Sequence, residues 1–195
     1  MFVILDPGHN GKVPGKCSPD RRFREYRWVR ELTKIIEDKL DKLGIKHQRT
    51  TTPNEDEGPE VGLTKRCVRA NAMGGENPIF ISIHVNAAGS DGKWHNAQGW
   101  SVFVSPKGSK NSKKLATLMT GEARKTGIKV RVPKLGQEWW EGNFTVLNKT
   151  RMPAVLVENL FQDNEKDVEY LESEEGKDVL SDIIIKGILA YYENK

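Results

Sequence analysis

Two histidines and a glutamate stand at the ends of apolar runs: FVILDPGH ends in His9, IFISIH in His84 and AVLVE in Glu158. The runs at 2–6, 78–85 and 154–161 are rich in Val, Ile, Leu and Phe and nearly continuous in apolar character, the pattern of central strands covered on both faces. Ligands of an open α/β sheet bind outside the carboxyl ends of its strands, so three strands bring imidazole and carboxylate to one edge. Two imidazoles converging with carboxylates are the donor inventory of a catalytic zinc site, which takes three protein ligands and leaves a fourth position to water. Glu25 is the best third donor, because it opens the helix that follows the loop leaving His9. Glu31 competes for that role but lies deeper in the helix and reads as a solvent-face residue. Glu158 is then the general base, completing the deprotonation of a water made acidic by the metal and passing the proton to a departing amine. This is the chemistry of metal-assisted amide hydrolysis.

Each residue also has a plainer explanation. A lone histidine near a strand end is more often a satisfied polar group than a ligand, but two of them with a glutamate at equivalent strand ends reverse that weighting. His47, within IKHQRT, and His95, in the polar loop DGKWHNAQG, gain no such support and read as structural or surface residues. Glu158 as a structural carboxylate paired with Arg66 would be an idle charge among the large apolar residues of LVENLF, which is costly.

Other segments supply the frame that has to position these groups. GWSVFVS (99–105) reads as a fourth strand and IKHQRTT as another. Trp28, Val29, Leu32, Ile35, Ile36, Leu40 and Leu43 recur at helical spacing, and Gly44 closes that helix. A Pro/Gly/acid-rich loop at 53–62 precedes a short helix at 63–73. SKKLATLMTGEARKTG is a further helix with Ser112 as candidate N-cap and Gly127 as terminator, and Val179, Leu180, Ile183, Ile184, Gly187, Ile188 and Tyr191 mark the last. Strands alternating with helices of this length predict an α/β sheet with helices on both faces. No repeat or composition break divides the 195 residues, so residues 1–195 are expected to form a single domain with a full core.

Composition narrows the classes. A formal charge of +4 and a pI near 9.0 suit an anionic polymer. The chain has no nucleic-acid motif or Arg/aromatic stripe, so nucleic acid is not the expected partner. No apolar run approaches the roughly 20 residues of a membrane span. Cys17 and Cys67 fit no metal or redox spacing and are expected as two free thiols. Met1 leads straight into the first strand without a signal peptide, so the chain is expected to be released by lysis or a holin, or to be a secreted protein whose signal has been trimmed.

With these residues in hand, the chain resembles the zinc-dependent N-acetylmuramoyl-L-alanine amidases of amidase family 3. ILDPGHNG is similar to the family's opening strand with its first zinc histidine, at His9, and REYRWVREL to the segment carrying the glutamate ligand, at Glu25. LTKRCVRAN is similar to its Leu-x-x-Arg-x-x-x-Ala-Asn helix, FISIHVNA to its second histidine strand, with His84, and MPAVLVENLFQDN to the segment of the catalytic glutamate, Glu158. The resemblance implies one zinc ion per chain and a three-layer α/β/α sandwich around a mainly parallel, about six-stranded sheet. It implies cleavage of the amide between N-acetylmuramic acid and L-alanine at the bacterial cell wall, with peptidoglycan as substrate; the chain itself is expected to be a monomer. The chain departs from the family at Asn10-Gly11, where Gly-Gly is common, and at Arg49-Thr50, where Thr-Arg is common; neither position is a ligand. Trp139 and Trp140 are candidates for a platform under sugar or stem peptide, or for closing the edge of the core. Asn86 is a candidate to hydrogen-bond substrate or to cap a turn. Two other functions fit the same residues: a wall-binding module that has lost catalysis, and a zinc peptidase cutting within the stem peptide.

Overall fold

Apolar residues alternate between two faces along the central strands, and each face takes its own helices. The computed structural model describes residues 1–194. Its strands are β1 (Phe2–Pro7), β2 (Lys46–Arg49), β3 (Pro78–Asn86), β4 (Ser101–Val104), β5 (Trp140–Glu141) and β6 (Ala154–Phe161), in one sheet of order β2-β1-β3-β6-β4-β5. β2, β1, β3 and β6 run parallel; β4 is antiparallel to β6, and β5 runs parallel to β4. Val3, Leu5, Ile79, Ile81, Ile83, Val155 and Val157 face the larger core, built with helices α1 (Glu25–Lys42), α3 (Lys110–Lys125), α5 (Glu165–Glu172) and α6 (Glu174–Glu193). Phe2, Ile4, Phe80, Ala154 and Leu156 face the other way, against Cys67 and Ala70 of α2 (Leu63–Ala72) and Val146 and Leu147 of α4 (Thr145–Asn148). This is the expected three-layer α/β/α arrangement around a mainly parallel six-stranded sheet. Only the short strands β2 and β5 lie at the edges, which limits unpaired backbone.

The differences from the sequence expectation lie at element ends. The α3 cap is Ser109, which accepts the Ser112 N–H at 3.1 Å; the Ser112 hydroxyl instead accepts from the Ala154 N–H at 3.1 Å and ties the helix to β6. β4 is shorter than 99–105, because Trp100 turns its backbone to Lys129 and Arg131 in an isolated bridge. Helix α5, only eight residues long, opens at its Asn164 cap, which accepts the Asp167 N–H. Gly44 and Gly127 follow α1 and α3 with φ of 67° and 80°, the left-handed conformation that ends a helix. Cys17 and Cys67 are both free. No helix of the described residues is long and apolar enough to cross a membrane.

Candidate metal centre and catalytic edge

The carboxyl end of β1 is held by buried charge. Asp6, almost fully enclosed, accepts from the Ser82 hydroxyl at 2.7 Å, from Thr50 and from Arg66 at 3.0 Å, joining β1 to β3, to the end of β2 and to α2. All five Arg66 N–H groups are engaged: by Val61 O, Asp6, Pro7 O, Asn10 Oδ1 and Glu60. Arg66 therefore pairs with Asp6 and Glu60, and Glu158 has no part in it. Arg30 of α1 donates to Gly8 O at 2.6 Å and to His9 O, and pairs with Asp56. These two arginines fix residues 7–10 from opposite sides. Between them His9 adopts a φ of 48°, a left-handed conformation that costs a non-glycine residue about 1–2 kcal/mol and persists where surrounding bonds over-determine it. Gly8 leaves no room for a side chain, since a Cβ there would lie 2.5 Å from His84 Cε1.

The loop geometry brings three sequence-predicted donors together. His9 Nε2 lies 3.8 Å and His84 Nδ1 3.2 Å from Glu25 Oε1, and one donor atom from each residue lies within 4.8 Å of the other two. The two imidazoles meet edge to face, 5.0 Å apart. Glu25 is the first residue of α1, where the helix dipole favours an anion, and it accepts the Val85 N–H at 3.0 Å. Its competitor Glu31 is exposed and reaches Lys177. Glu60, which the sequence showed only as part of an acidic loop, faces His9 Nδ1 at 3.9 Å and hangs from Arg66. His47 lies near Ile45 O, and His95 pairs with Asp91 in the β3–β4 connection, both away from this cluster.

Glu158 is level with His84 in the parallel β3–β6 pairing and with Ser101 in the antiparallel β4–β6 pairing, so all three occupy the same sheet face. The pairing slips immediately afterwards: Leu160, at φ 64°, forms a bulge that leaves Asn159 free to donate its side-chain N–H to His84 O at 3.1 Å. Glu158 Oε2 is shut off from solvent without a hydrogen-bond partner. Burial, reinforced by the Glu25 charge, pushes the Glu158 carboxyl up to about 7 against the pull of His84.

The residues fit a divalent cation. Burial would raise Glu25, yet the hydrogen bond and charge of His84, with His9, hold it below the usual carboxylate range. Burial, with the charges of His84, Lys16 and Arg66, brings His9 down to about 4, so its ring is neutral with a lone pair to donate. Burial opposes a proton on His84, but Glu25 and Glu158 overcome it and raise its pKa, marking a place that favours positive charge. Glu25 Oε2 is buried without a partner, an orphan acceptor such as a metal would satisfy. Two imidazoles and one carboxylate form a three-donor set of the kind found in catalytic zinc sites.

The family model for N-acetylmuramoyl-L-alanine amidases matches residues 3–190. The chain belongs to this amidase family. It is 27% identical over 173 residues to an endolysin of Bacillus phage SPP1, covering 89% of this chain and 59% of the endolysin. It is 26% identical over 191 residues to the probable cell wall amidase LytH of Staphylococcus aureus, covering 97% of this chain and 58% of that protein. The amidase chain thus spans about three-fifths of the length of these curated relatives. The solved N-acetylmuramyl-L-alanine amidase Ami1 of Mycobacterium smegmatis matches with a TM-score of 0.85 at 23% identity, over 100% of this chain and 98% of that one, so the two share the fold.

Trp139 and Trp140 separate, as neighbours on an extended segment do. Trp139 packs against the larger core with Lys113 over its ring, so it closes the core edge rather than lining the site face. Trp140 stacks on Phe103, which shares its sheet face with Ser101 and Glu158. Asn86, two residues past His84, folds its side chain back to accept the Ala87 N–H at 2.8 Å, a turn cap at the rim of the site.

Proposed function

We propose that this chain hydrolyses the amide between N-acetylmuramic acid and L-alanine in peptidoglycan, acting at the bacterial cell wall as a single catalytic domain and a monomer. The observation that carries the reading is His9, Glu25 and His84 converging on one point with Glu158 level with His84 on the adjoining strand. His9, Glu25 and His84 would hold one zinc ion, which supplies a Lewis acid to polarise the scissile carbonyl and lower the pKa of water. Glu158, raised toward neutrality by its surroundings, is matched to take a proton from water and return it to the leaving amine. Glu60 places its carboxylate 3.9 Å from His9 Nδ1, while Nε2 faces Glu25 and is the nitrogen left for the metal. Arg30 and Arg66 fix the loop that aims His9.

The test combines metal analysis with product identification. The purified protein is expected to hold one zinc per chain, and Glu158→Gln to keep that zinc while losing at least roughly a thousandfold of the wall-lytic rate. Mass spectrometry of digested sacculi should show stem peptides with new free L-alanine amino termini. Stem peptides shortened internally would refute the amidase assignment, and an undiminished rate for Glu158→Gln would refute the role of the base.

A further inference from the structure

A groove of about 390 Å³ is lined by Ser101 and Phe103, which share the sheet face of Glu158. Ser101, directly opposite Glu158 in the β4–β6 pairing, forms its inner end; side chains so placed have Cβ atoms about 5 Å apart. Asn86, Phe103, Trp140 and Phe161, three residues beyond Glu158, line it as well. Two of its groups are left without a hydrogen-bond or ion-pair partner among the described residues. The Ser101 hydroxyl is buried without a hydrogen-bond partner, which is costly unless a ligand meets it. Arg131 lays its guanidinium over the Phe161 ring, 4.7 Å from the centroid, and no carboxylate among the described residues pairs with it. The acid whose field it feels, Asp167, spends its Oδ2 on the Gly99 and Phe161 N–H groups at 2.9 and 3.0 Å. A stacked guanidinium keeps its in-plane N–H fork free, the geometry that grips a carboxylate.

We propose that this groove receives the peptide side of the scissile amide and that Arg131 selects substrates bearing a free carboxylate there. The inference rests on the amidase reading above. The aromatic walls and the alanines of the β3–β4 connection enclose a short chain of small residues, the Ser101 hydroxyl meets its backbone, and Arg131 pairs with the acid beyond. A glutamate in the second stem position, linked through its side-chain carboxyl, carries such a carboxylate close to the cut, whereas its amidated form is neutral.

The experiment compares two soluble muropeptides that differ only in whether that α-carboxyl is free or a carboxamide. The parent protein is expected to show kcat/KM about tenfold higher for the free acid. Arg131→Gln brings the two within about twofold, through KM, and Arg131→Lys retains part of the preference. Calorimetric titration of the released peptides into Glu158→Ala should show the same gap in Kd, and its disappearance when Arg131→Gln is added. A parent ratio that survives in Arg131→Gln overturns the inference while leaving the amidase reading intact. Failure of the parent to cut either muropeptide removes that reading and this one with it.

Discussion

Gly8→Ala adds one methyl group at the tightest point of the site, and the amount of movement it demands follows from the distances. The new Cβ would lie 2.5 Å from His84 Cε1, 2.6 Å from His84 Nδ1 and 2.8 Å from Ile83 O. Carbon atoms rest at about 3.5–4.0 Å, so the imidazole has to retreat by about 1 Å. The Ile83 O contact is with backbone and has to open by a few tenths of an ångström, but the loop can take up little more, because the Gly8 N–H bonds Ile83 O at 2.9 Å and Arg30 grips the Gly8 carbonyl. Overpacking costs about 1–3 kcal/mol, offset by about 0.4–1 kcal/mol from the stiffer unfolded chain, so Tm falls by only a few degrees. Function should fall much further, since a misplacement of about 1 Å at a reacting centre costs about a hundredfold. Zinc affinity measured by chelator competition and the rate of sacculus digestion should both drop while circular dichroism stays native. Parent affinity and parent rate in Gly8→Ala would show that the approach of this backbone to His84 plays no part in placing the donor.

Two further predictions concern the buried charges. The Glu158 carboxyl is raised from 4.5 to about 7 in the fold, so its contribution to stability is complete below about pH 4.5 and is lost as pH rises through about 7. With metal chelated, the parent should therefore lose about 2–3 kcal/mol relative to Glu158→Gln between about pH 5 and pH 8, and parallel urea-denaturation curves for the two proteins would refute the shift. Arg66→Met leaves the Asp6 carboxylate buried without its cation and frees the Pro7 and Val61 carbonyls. It should cost about 3–5 kcal/mol, about 10 °C in Tm, and a change under about 2 °C would show that Arg66 is not the anchor of this loop.

Much of the site was readable because it is written in strand ends. His9, His84 and Glu158 follow apolar runs at equivalent strand ends, and their coincidence there, rather than any one of them alone, points to a site. Glu25 was readable from the helix it opens. The scaffold was harder to find, because an arginine's partners are tertiary. Arg30 stands four residues after the buried Tyr26, which marks it as half-facing the interior but not as the clamp on His9 O. Glu60 looked like one acid among several in a polar loop. The bulge at Leu160 carries no glycine to announce it, and Arg131 lies in a loop whose aromatic neighbours drew attention to themselves instead. Trp139 and Trp140 were an undivided pair in the sequence; their opposite faces follow from the period of two once β5 is known to pair with β4.

The sheet order has a consequence for how this molecule comes into being. β6 is the last strand to leave the ribosome yet sits between β3 and β4, and β4 pairs with no strand other than β6 and β5. β1, β2 and β3 are sheet neighbours, and the chain up to β3 already contains His9, Glu25 and His84; β4 then has no strand to join until β5 and β6 follow. Residues 154–161 bridge the two halves of the sheet and carry Glu158, the proposed base. A chain cut anywhere before Glu158 thus lacks both the strand that joins β3 to β4 and the carboxylate proposed as the base.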